Sequence, residues 1–194
     1  MWNQRYAVDD YVYGKAPNDF LREQHGAIPK GKVLCLAEGE GRNAVYLASL
    51  GYEVWAVDAS SVGRDKALKL AKEMNVSLNY EVADLADYDL GNNEWSGIVA
   101  IFCHLPPALR ESLHRRVVAA LKPGGVILLE GYRPDQLEFG TGGPPSKELM
   151  MSAQQLQSDF SLLSVVHLQE LERDVTEGIC HTGEGAVVQM VASK

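Results

Sequence analysis

The chain has 194 residues, of which 46% are hydrophobic, and its 26 acidic and 18 basic residues give a formal net charge of −8. This length and composition predict one globular domain with a substantial core, spanning residues 1–194. The negative charge argues against nucleic acid as a partner, because nucleic-acid binding depends on lysine and arginine contacts to phosphates.

Apolar runs and amphipathic stretches alternate along the chain, which is the pattern of an α/β protein with a parallel sheet. The predicted helices cover 18–25, 43–50, 62–75, 108–121 and 147–159, and the predicted strands cover 32–37, 52–57, 77–82, 97–103, 125–131, 161–173 and 185–192. The last two strands leave no room for a crossover helix. Residues 177–184 are therefore expected to close an antiparallel hairpin at the end of a seven-stranded, mostly parallel sheet with helices on both faces.

The N-terminal segment, residues 1–30, is rich in large aromatic side chains. These are Trp2, Tyr6, Tyr11 and Tyr13. The sequence Pro17-Asn18-Asp19 is typical of the beginning of a helix. Because four large aromatic residues favour burial, we expect this segment to fold back over the sheet edge or over a bound ligand.

A glycine loop connects the first predicted strand to the following helix, in the sequence VLCLAEGEGRNAVYLA of residues 33–48. Gly39 and Gly41 allow the backbone to turn sharply and to approach a ligand closely. Free N–H groups at the helix start, near Arg42 and Asn43, would hold a carboxylate or a phosphate. The loop therefore predicts a cofactor site.

Asp58 follows the second predicted strand, about 17 residues after Gly41. An acidic residue at this spacing binds ribose hydroxyls in dinucleotide-binding folds. Nicotinamide cofactors and S-adenosylmethionine both contain that ribose. The spacing therefore indicates an adenosine cofactor and leaves the choice between them open.

Further motifs follow the glycine loop in a characteristic order. They are VDAS (57–60), ADL (83–85), GIVAIFCHLPP (97–107) and LKPGGVILLEGY (121–132), with YVYGKAPNDFL (11–21) before the loop and EGICHTGEGAVVQMVA (177–192) at the end. Together they resemble the class I S-adenosylmethionine-dependent methyltransferases, especially small bacterial proteins similar to the tellurite-resistance methyltransferase. The resemblance implies a Rossmann-like fold, S-adenosylmethionine as cofactor, and methyl transfer to O, N, S or a chalcogen or metalloid atom of a small-molecule acceptor.

The expected cofactor contacts come from the N-terminal segment, the glycine loop and the ends of the next three strands. They are Tyr13, Glu38, Gly39, Gly41, Arg42, Asn43, Asp58, Ala59, Ser60, Asp84, Leu85 and Phe102.

The chain departs from the family pattern at three positions. Cys35 and Gly97 stand where the family usually has acidic residues, and Ala37 stands where it usually has glycine. The acid usual at the position of Cys35 helps to orient the cofactor's amino group. We expect Glu38 or Glu40 to take over that contact.

Three residues are candidates for a catalytic role in methyl transfer. They are His104, Tyr132 and His181. A general base is needed only if the acceptor is protonated at neutral pH. His104 follows an apolar strand, and capping of the next helix is the competing interpretation. Residues 132–146 contain GTGGPP and should form a lid loop over the acceptor.

The cysteine content predicts no metal site and no disulfide bond. Cys103 and Cys180 each precede a histidine, but no spacing matches a structural zinc site, and Cys103 is expected in the core. The N-terminus lacks the features of a secretory signal, and no apolar run has transmembrane length. We therefore expect a cytoplasmic protein with no membrane partner, while the sequence leaves its oligomeric state open.

Two other functions stay open at this point. An NAD-dependent oxidoreductase shares the glycine loop and the ribose-binding acid. A non-catalytic regulator or accessory protein that binds S-adenosylmethionine is favoured by the missing acids at Cys35 and Gly97. The C-terminal hairpin argues against the oxidoreductase, because nucleotide dehydrogenases usually continue with parallel strands.

Overall fold

The computed structural model describes residues 1–194 and contains one seven-stranded sheet. Its strands are β1 (Lys32–Leu36), β2 (Glu53–Asp58), β3 (Asn79–Val82), β4 (Trp95–Ile101), β5 (Leu121–Tyr132), β6 (Ser164–Thr176) and β7 (Thr182–Ser193). The α-helices are α1 (Trp2–Tyr6), α2 (Asp19–Gln24), α3 (Arg42–Ser49), α4 (Ser61–Glu73), α5 (Pro107–Ala120) and α6 (Ala153–Asp159), and short 3₁₀ turns cover His25–Ala27, Pro134–Glu138 and Lys147–Leu149. None of these helices combines the length and the apolar character needed to cross a bilayer.

The strands follow the order β3-β2-β1-β4-β5-β7-β6 across the sheet. The first five strands pair in parallel, whereas β7 pairs antiparallel with both β5 and β6. The strand order reverses between β1 and β4, and in open α/β sheets such a switch point opens a crevice for a ligand. The predicted Rossmann-like fold class, with its C-terminal antiparallel hairpin, is confirmed.

The core occupies both faces of the sheet because successive strand residues point to opposite sides. In β1, Val33 and Cys35 pack with α2 and α3, whereas Leu34 and Leu36 pack with α5 and α6. Cys103 belongs to the same buried cluster as Leu34 and Leu36, which confirms its prediction as a core residue. With both faces covered, the carboxyl edge of the parallel strands is left for a ligand.

Side-chain caps explain where three helices begin. Asn18 accepts a hydrogen bond from the backbone N–H of Leu21 before α2, and Ser60 does the same for Gly63 before α4. Ser152 forms a reciprocal capping box before α6. Such caps satisfy backbone donors that a helix start leaves unpaired. The predicted helix start at Pro17-Asn18-Asp19 is confirmed.

Two predicted elements had wrong bounds, and one helix was missed. The helix predicted over 147–159 is split into a 3₁₀ turn and α6, because Ser152 caps a new helix start there. The hairpin loop predicted over 177–184 is shorter, since residues 182–184 of β7 pair with 174–176 of β6. Helix α1 was not predicted, and a helix this short has little periodicity to reveal it.

Gly97 shows why one acidic residue of the family is missing here. A Cβ atom added at Gly97 would overlap Cγ2 of Ile28, which is 3% exposed and packs onto β4 from the N-terminal segment. The departure therefore has a packing cause, because the N-terminal segment fills the space that a side chain would need.

Gly97→Ala is expected to lower the free energy of unfolding by about 1–3 kcal/mol, the usual cost of overpacking a core. The matched control is Gly26→Ala, whose added Cβ has no atom within 4 Å. Urea unfolding measures both variants. In an Ile28→Ala background the cost of Gly97→Ala should shrink, and an unchanged cost would contradict the packing explanation.

Candidate active site

The glycine loop lies at the carboxyl end of β1 and contains three residues with positive φ. These angles are 51° at Ala37, 60° at Gly39 and 88° at Gly41. For alanine this left-handed conformation costs roughly 1–2 kcal/mol, which explains why the resembling family usually has glycine at that position. Helix α3 begins directly after Gly41.

Glu38 caps α3 from inside the loop. Its Oε1 atom accepts hydrogen bonds from the backbone N–H groups of Asn43 and Ala44, at 3.0 and 2.7 Å. Burial raises the pKa of Glu38 to about 7, although these hydrogen bonds and Arg42 lower it. The expectation that these helix amides are free to bind a ligand anion was therefore wrong, because a carboxylate of the chain itself occupies them.

Asp58 joins the glycine loop to the start of α4. Its Oδ2 atom accepts a hydrogen bond from the N–H of Gly39 at 3.0 Å, and its Oδ1 atom accepts one from Ser60 at 2.8 Å. Burial raises the pKa of Asp58, while these two hydrogen bonds lower it. A carboxylate has about four acceptor positions, so the side chain keeps capacity for a ligand hydroxyl.

The remaining predicted cofactor residues of this edge follow β2 and β3. The backbone N–H of Ala83 donates to the carbonyl of Asp58 at 3.0 Å, which brings the two strand ends together. Asp84 and Ala59 are exposed, whereas Leu85 is buried in the core. The structure therefore brings an acidic and an apolar position next to Asp58.

Four ring side chains form an aromatic cluster beside the glycine loop, consisting of Tyr13, Phe102, Tyr132 and His181. The ring of His181 lies 4.6 Å from that of Tyr13, 4.7 Å from that of Phe102 and 5.4 Å from that of Tyr132. Phe102 also contacts Tyr132 at 4.6 Å. Sequence reasoning named all four residues separately, and the fold assembles them from four different parts of the chain.

Phe102 has a strained backbone at the end of β4. Its φ is 52°, an unusual value for a bulky residue. Its N–H donates to the carbonyl of Glu130 at 2.7 Å, so the neighbouring strand holds this conformation. Strain of this kind collects at functional sites, and here it directs the ring into the aromatic cluster.

His181 is buried in the cluster with an unpartnered ring nitrogen. Its Nδ1 atom has no hydrogen-bond partner in the chain, and the residue is 8% exposed. Burial lowers the pKa of His181 to about 3, against the opposing effect of Glu177. The imidazole is therefore neutral at physiological pH, and its Nδ1 is a buried polar atom without a partner in the chain.

His104 braces two backbone segments with both ring nitrogens. Its Nδ1 lies 3.1 Å from the carbonyl oxygen of Leu149, and its Nε2 accepts from the N–H of Tyr132 at 3.3 Å. Burial lowers the pKa of His104 to about 4. With both nitrogens engaged, this side chain is not placed to remove a proton from an acceptor. The alternative of a helix cap was also wrong, because Pro106 precedes α5 without a side-chain cap.

A buried ionic network lies under the aromatic cluster, and sequence reasoning missed most of it. Arg42 pairs with Glu177, and Arg173 pairs with both Glu177 and Glu130. Asn18 donates to Glu130 and Glu177, both at 2.8 Å. The one available signal was Glu130, a charged residue inside the apolar run of the fifth strand.

The N-terminal segment covers the glycine loop. A Cβ atom added at Gly39 would lie 2.5 Å from the hydroxyl oxygen of Tyr6, so the tyrosine rests directly on the loop. The N–H of Tyr13 donates to the Glu40 carboxylate at 3.3 Å, and Lys66 pairs with the same carboxylate at 2.7 Å. The segment thus packs on the glycine loop through Tyr6 and on β4 through Ile28, and its contact with a bound ligand stays a prediction.

The predicted lid loop, residues 132–146, packs against the C-terminal hairpin. Thr141 donates to the carbonyl of Glu184 at 2.6 Å, and the Gln136 side chain accepts from the N–H of Ala186 at 2.8 Å. The loop therefore borders the aromatic cluster at Tyr132. In the whole chain no group of three or more potential ligands is arranged around a metal position.

The lowered pKa values of His104 and His181 predict a contribution to stability that is lost in mild acid. Below about pH 6.5 the unfolded chain protonates His104 and His181, while the folded chain keeps them neutral until about pH 4 and about pH 3. The contribution of each histidine to the free energy of unfolding should therefore decrease as the pH falls, by up to roughly 1.4 kcal/mol per pH unit, while the raised pKa of Glu38 acts in the opposite direction. Urea unfolding of the wild type and His181→Phe at several pH values measures this slope.

The variant should lose part of the acid-dependent slope, because phenylalanine keeps the ring and removes the titrating group. His25→Gln, a histidine outside the site, is the control and should keep the wild-type slope. An equal slope in wild type and His181→Phe would contradict the neutral, buried state of His181.

Comparison with known proteins gives a family match over the part of the chain that carries the glycine loop. Residues 33–125 match a family model described as a methyltransferase domain. An uncharacterized methyltransferase of Synechocystis is 37% identical over 115 residues, which cover 57% of this chain and 52% of the relative. The chain thus spans about half the length of this curated relative.

Two solved structures share the fold over the whole chain. TehB from Haemophilus influenzae is 18% identical with a TM-score of 0.78, covering 100% of this chain and 65% of that chain. The second structure comes from work on the conversion of a disulfide bond into a thioacetal group during echinomycin biosynthesis. It is 19% identical with a TM-score of 0.77, and the match covers 100% of this chain and 90% of that chain. Residues 33–125 therefore match a methyltransferase domain, and the whole chain shares the fold of these two structures.

Proposed function

We infer that the protein transfers a methyl group from S-adenosylmethionine to a small-molecule acceptor. The observation that carries this proposal is the position of the aromatic cluster. It lies at the same sheet edge as the glycine loop and Asp58, next to an unpartnered buried nitrogen of His181. We propose the edge beside Asp58 as the adenosine site and the neighbouring aromatic cluster as the border of the acceptor space.

The residues present fit S-adenosylmethionine. Asp58 has acceptor positions left for the ribose hydroxyls, and Asp84 and Leu85 follow at the adjoining strand end. Tyr6 and Tyr13 cover the glycine loop from the N-terminal segment. We propose these residues as the cofactor contacts, with residues 1–30 as the cap of the single domain 1–194.

S-adenosylmethionine supplies an electrophilic methyl group on a positively charged sulfonium. The aromatic cluster suits that charge, because ring faces attract cations and exclude water. Holding an acceptor atom about 3 Å from the methyl group, in line with the departing sulfur, contributes several kcal/mol by proximity. The protein's part is therefore mainly positioning and enclosure.

The cluster contains no side chain suited to general-base catalysis at neutral pH. His181 is neutral with a pKa of about 3, and burial raises the pKa of the Tyr132 hydroxyl. Both nitrogens of His104 are engaged with backbone groups. We therefore propose an acceptor atom that already carries a free lone pair, such as a thiolate sulfur or an oxyanion of a heavier chalcogen.

The relatives agree with this proposal in general terms. The name of the Synechocystis relative contains methyltransferase, and the TehB fold covers the whole chain. The net charge of −8 favours a small acceptor over nucleic acid. Cytoplasmic location and the absence of a membrane partner stay predictions from the sequence.

S-adenosylmethionine and S-adenosylhomocysteine should each raise the melting temperature, whereas NAD should not. A ligand at about 100 times its dissociation constant adds roughly 2.7 kcal/mol, which corresponds to about 5–10 °C for a chain of this size. Differential scanning fluorimetry measures the shift. Stabilisation by NAD alone would contradict the cofactor assignment.

Tyr132→Phe and His181→Phe should lower kcat/KM for the acceptor roughly 3- to 10-fold, because the first removes a hydroxyl and the second removes the ring nitrogens from the proposed acceptor site. Cofactor affinity should stay within about twofold. The assay is S-adenosylhomocysteine formation with thiols and tellurite, compared with alcohols and alkylammonium compounds. Tyr46→Phe, outside the cluster, is the control.

The pH profile distinguishes the proposed mechanism from base catalysis. With neutral histidines throughout, the aromatic cluster should contribute no titration between about pH 6 and about pH 9, so that the rate at saturating cofactor follows the acceptor's own pKa. Glu38 of the glycine loop, whose pKa burial raises to about 7, titrates in this range, so its effect is sought in the cofactor affinity measured at each pH. If Tyr132→Phe and His181→Phe both lost cofactor binding while the proteins stayed folded, Tyr132 and His181 would instead belong to the cofactor site.

A further inference from the structure

Three of the cations around the glycine loop are neutralised by carboxylates of the chain. Arg42 pairs with Glu177, and Lys66 pairs with Glu40. Arg173 pairs with Glu177 and with Glu130. None of these three cations is available to a ligand anion without breaking a pair that is largely buried.

Arg5 is the exception at this site. Its Nη1 atom donates to the hydroxyl of Tyr13 at 2.9 Å, and its guanidinium lies 5.0 Å from the ring centre of Trp2. It makes no salt bridge, since both of these partners are uncharged. Arg5 is exposed at the rim of the site, where its charge is open to a ligand.

The position of Arg5 is set by the contact between α1 and the glycine loop. Tyr6, the next residue, is 4% exposed and rests on Gly39. Tyr13, which receives the hydrogen bond from Arg5, contacts the ring of His181 in the aromatic cluster with the ring planes tilted by 59°. The guanidinium therefore lies between the loop that carries the cofactor contacts and the cluster that borders the acceptor space.

Part of the usual backbone means of binding a carboxylate is already used at this loop. A helix start normally offers free N–H groups to an anion, but here the groups of Asn43 and Ala44 donate to Glu38. A cation beside the loop would therefore add to the binding of an anionic group. Arg5 is the one that the structure leaves without a carboxylate partner.

We propose that Arg5, together with the hydroxyl of Tyr13, binds the carboxylate of the methionine part of S-adenosylmethionine. This assignment rests on the proposed function. It gives the N-terminal segment a direct role in cofactor recognition, since a guanidinium and a carboxylate form strong charge-assisted hydrogen bonds. A purely structural role for Arg5, bracing α1 against Tyr13, is the competing explanation.

The two explanations differ in their response to a ligand without the carboxylate. S-adenosylhomocysteine has the complete amino-acid portion, whereas 5′-methylthioadenosine has the same nucleoside and sulfur without it. Isothermal titration calorimetry with both ligands is performed on the wild type, Arg5→Gln and Arg5→Lys. Arg64→Gln is the matched control, because Arg64 is an exposed arginine of α4 that pairs only with its neighbour Asp65.

Arg5→Gln should weaken S-adenosylhomocysteine binding about 10- to 100-fold and change 5′-methylthioadenosine binding less than about twofold. Arg5→Lys should recover part of the loss, and Arg64→Gln should bind both ligands like the wild type. Melting curves of the ligand-free proteins verify that the variants are folded.

Unchanged S-adenosylhomocysteine affinity in Arg5→Gln would overturn the assignment. Equal weakening of both ligands would also overturn it, because it would show that Arg5 only supports the cap. A wild-type protein that binds neither ligand would overturn the proposed function itself. Failure of the Arg5 assignment and failure of the proposed function are therefore distinguishable.

Discussion

The buried ionic network joins the parts of the chain that build the site. Glu130 is fully buried and Glu177 is 4% exposed, so folding removes nearly all water contact from both carboxylates. Burial works to raise the pKa of Glu177, but the adjacent guanidinium groups of Arg42 and Arg173 lower it overall. Buried charges of this kind are tolerated only when they are paired and fully hydrogen-bonded. Asn18 completes the network by donating to both carboxylates, which ties the N-terminal segment to the hairpin.

This arrangement determines the character of the site. Since Arg42 opens α3 and Glu177 opens the hairpin turn, their ion pair holds the turn above the glycine loop. His181 lies in that turn region and is thereby placed against Tyr13 and Phe102. The same enclosure that keeps the charges paired keeps the imidazole neutral. A site bordered by aromatic rings suits chemistry in which the cofactor provides the reactive group and the protein provides orientation.

The departures from the family pattern find local explanations. Gly97 leaves room for Ile28 of the N-terminal segment, and Cys35 is a fully buried core residue under the loop. Burial and the neighbouring Glu38 raise the pKa of the Cys35 thiol, so the residue is a small apolar group in this environment. Ala37 keeps the left-handed backbone that glycine usually provides. The positive φ angles of the loop are therefore present although the residues usual at Cys35, Ala37 and Gly97 are replaced, and the N-terminal segment fills the space beside Gly97.

The sequence by itself determined the fold class, the glycine loop, the position of Asp58 and the antiparallel hairpin, because these depend on local patterns of apolar residues, glycine and turn length. It also named every member of the aromatic cluster. Only the tertiary structure showed that Glu38 consumes the amides at the start of α3, that both nitrogens of His104 are engaged, and that Glu130 lies in an ionic network. Partners in these contacts are separated by up to 159 residues in the chain, as for Asn18 and Glu177. Local patterns carry no information on such pairs, and the burial that sets the charge of His181 exists only after the strands have assembled.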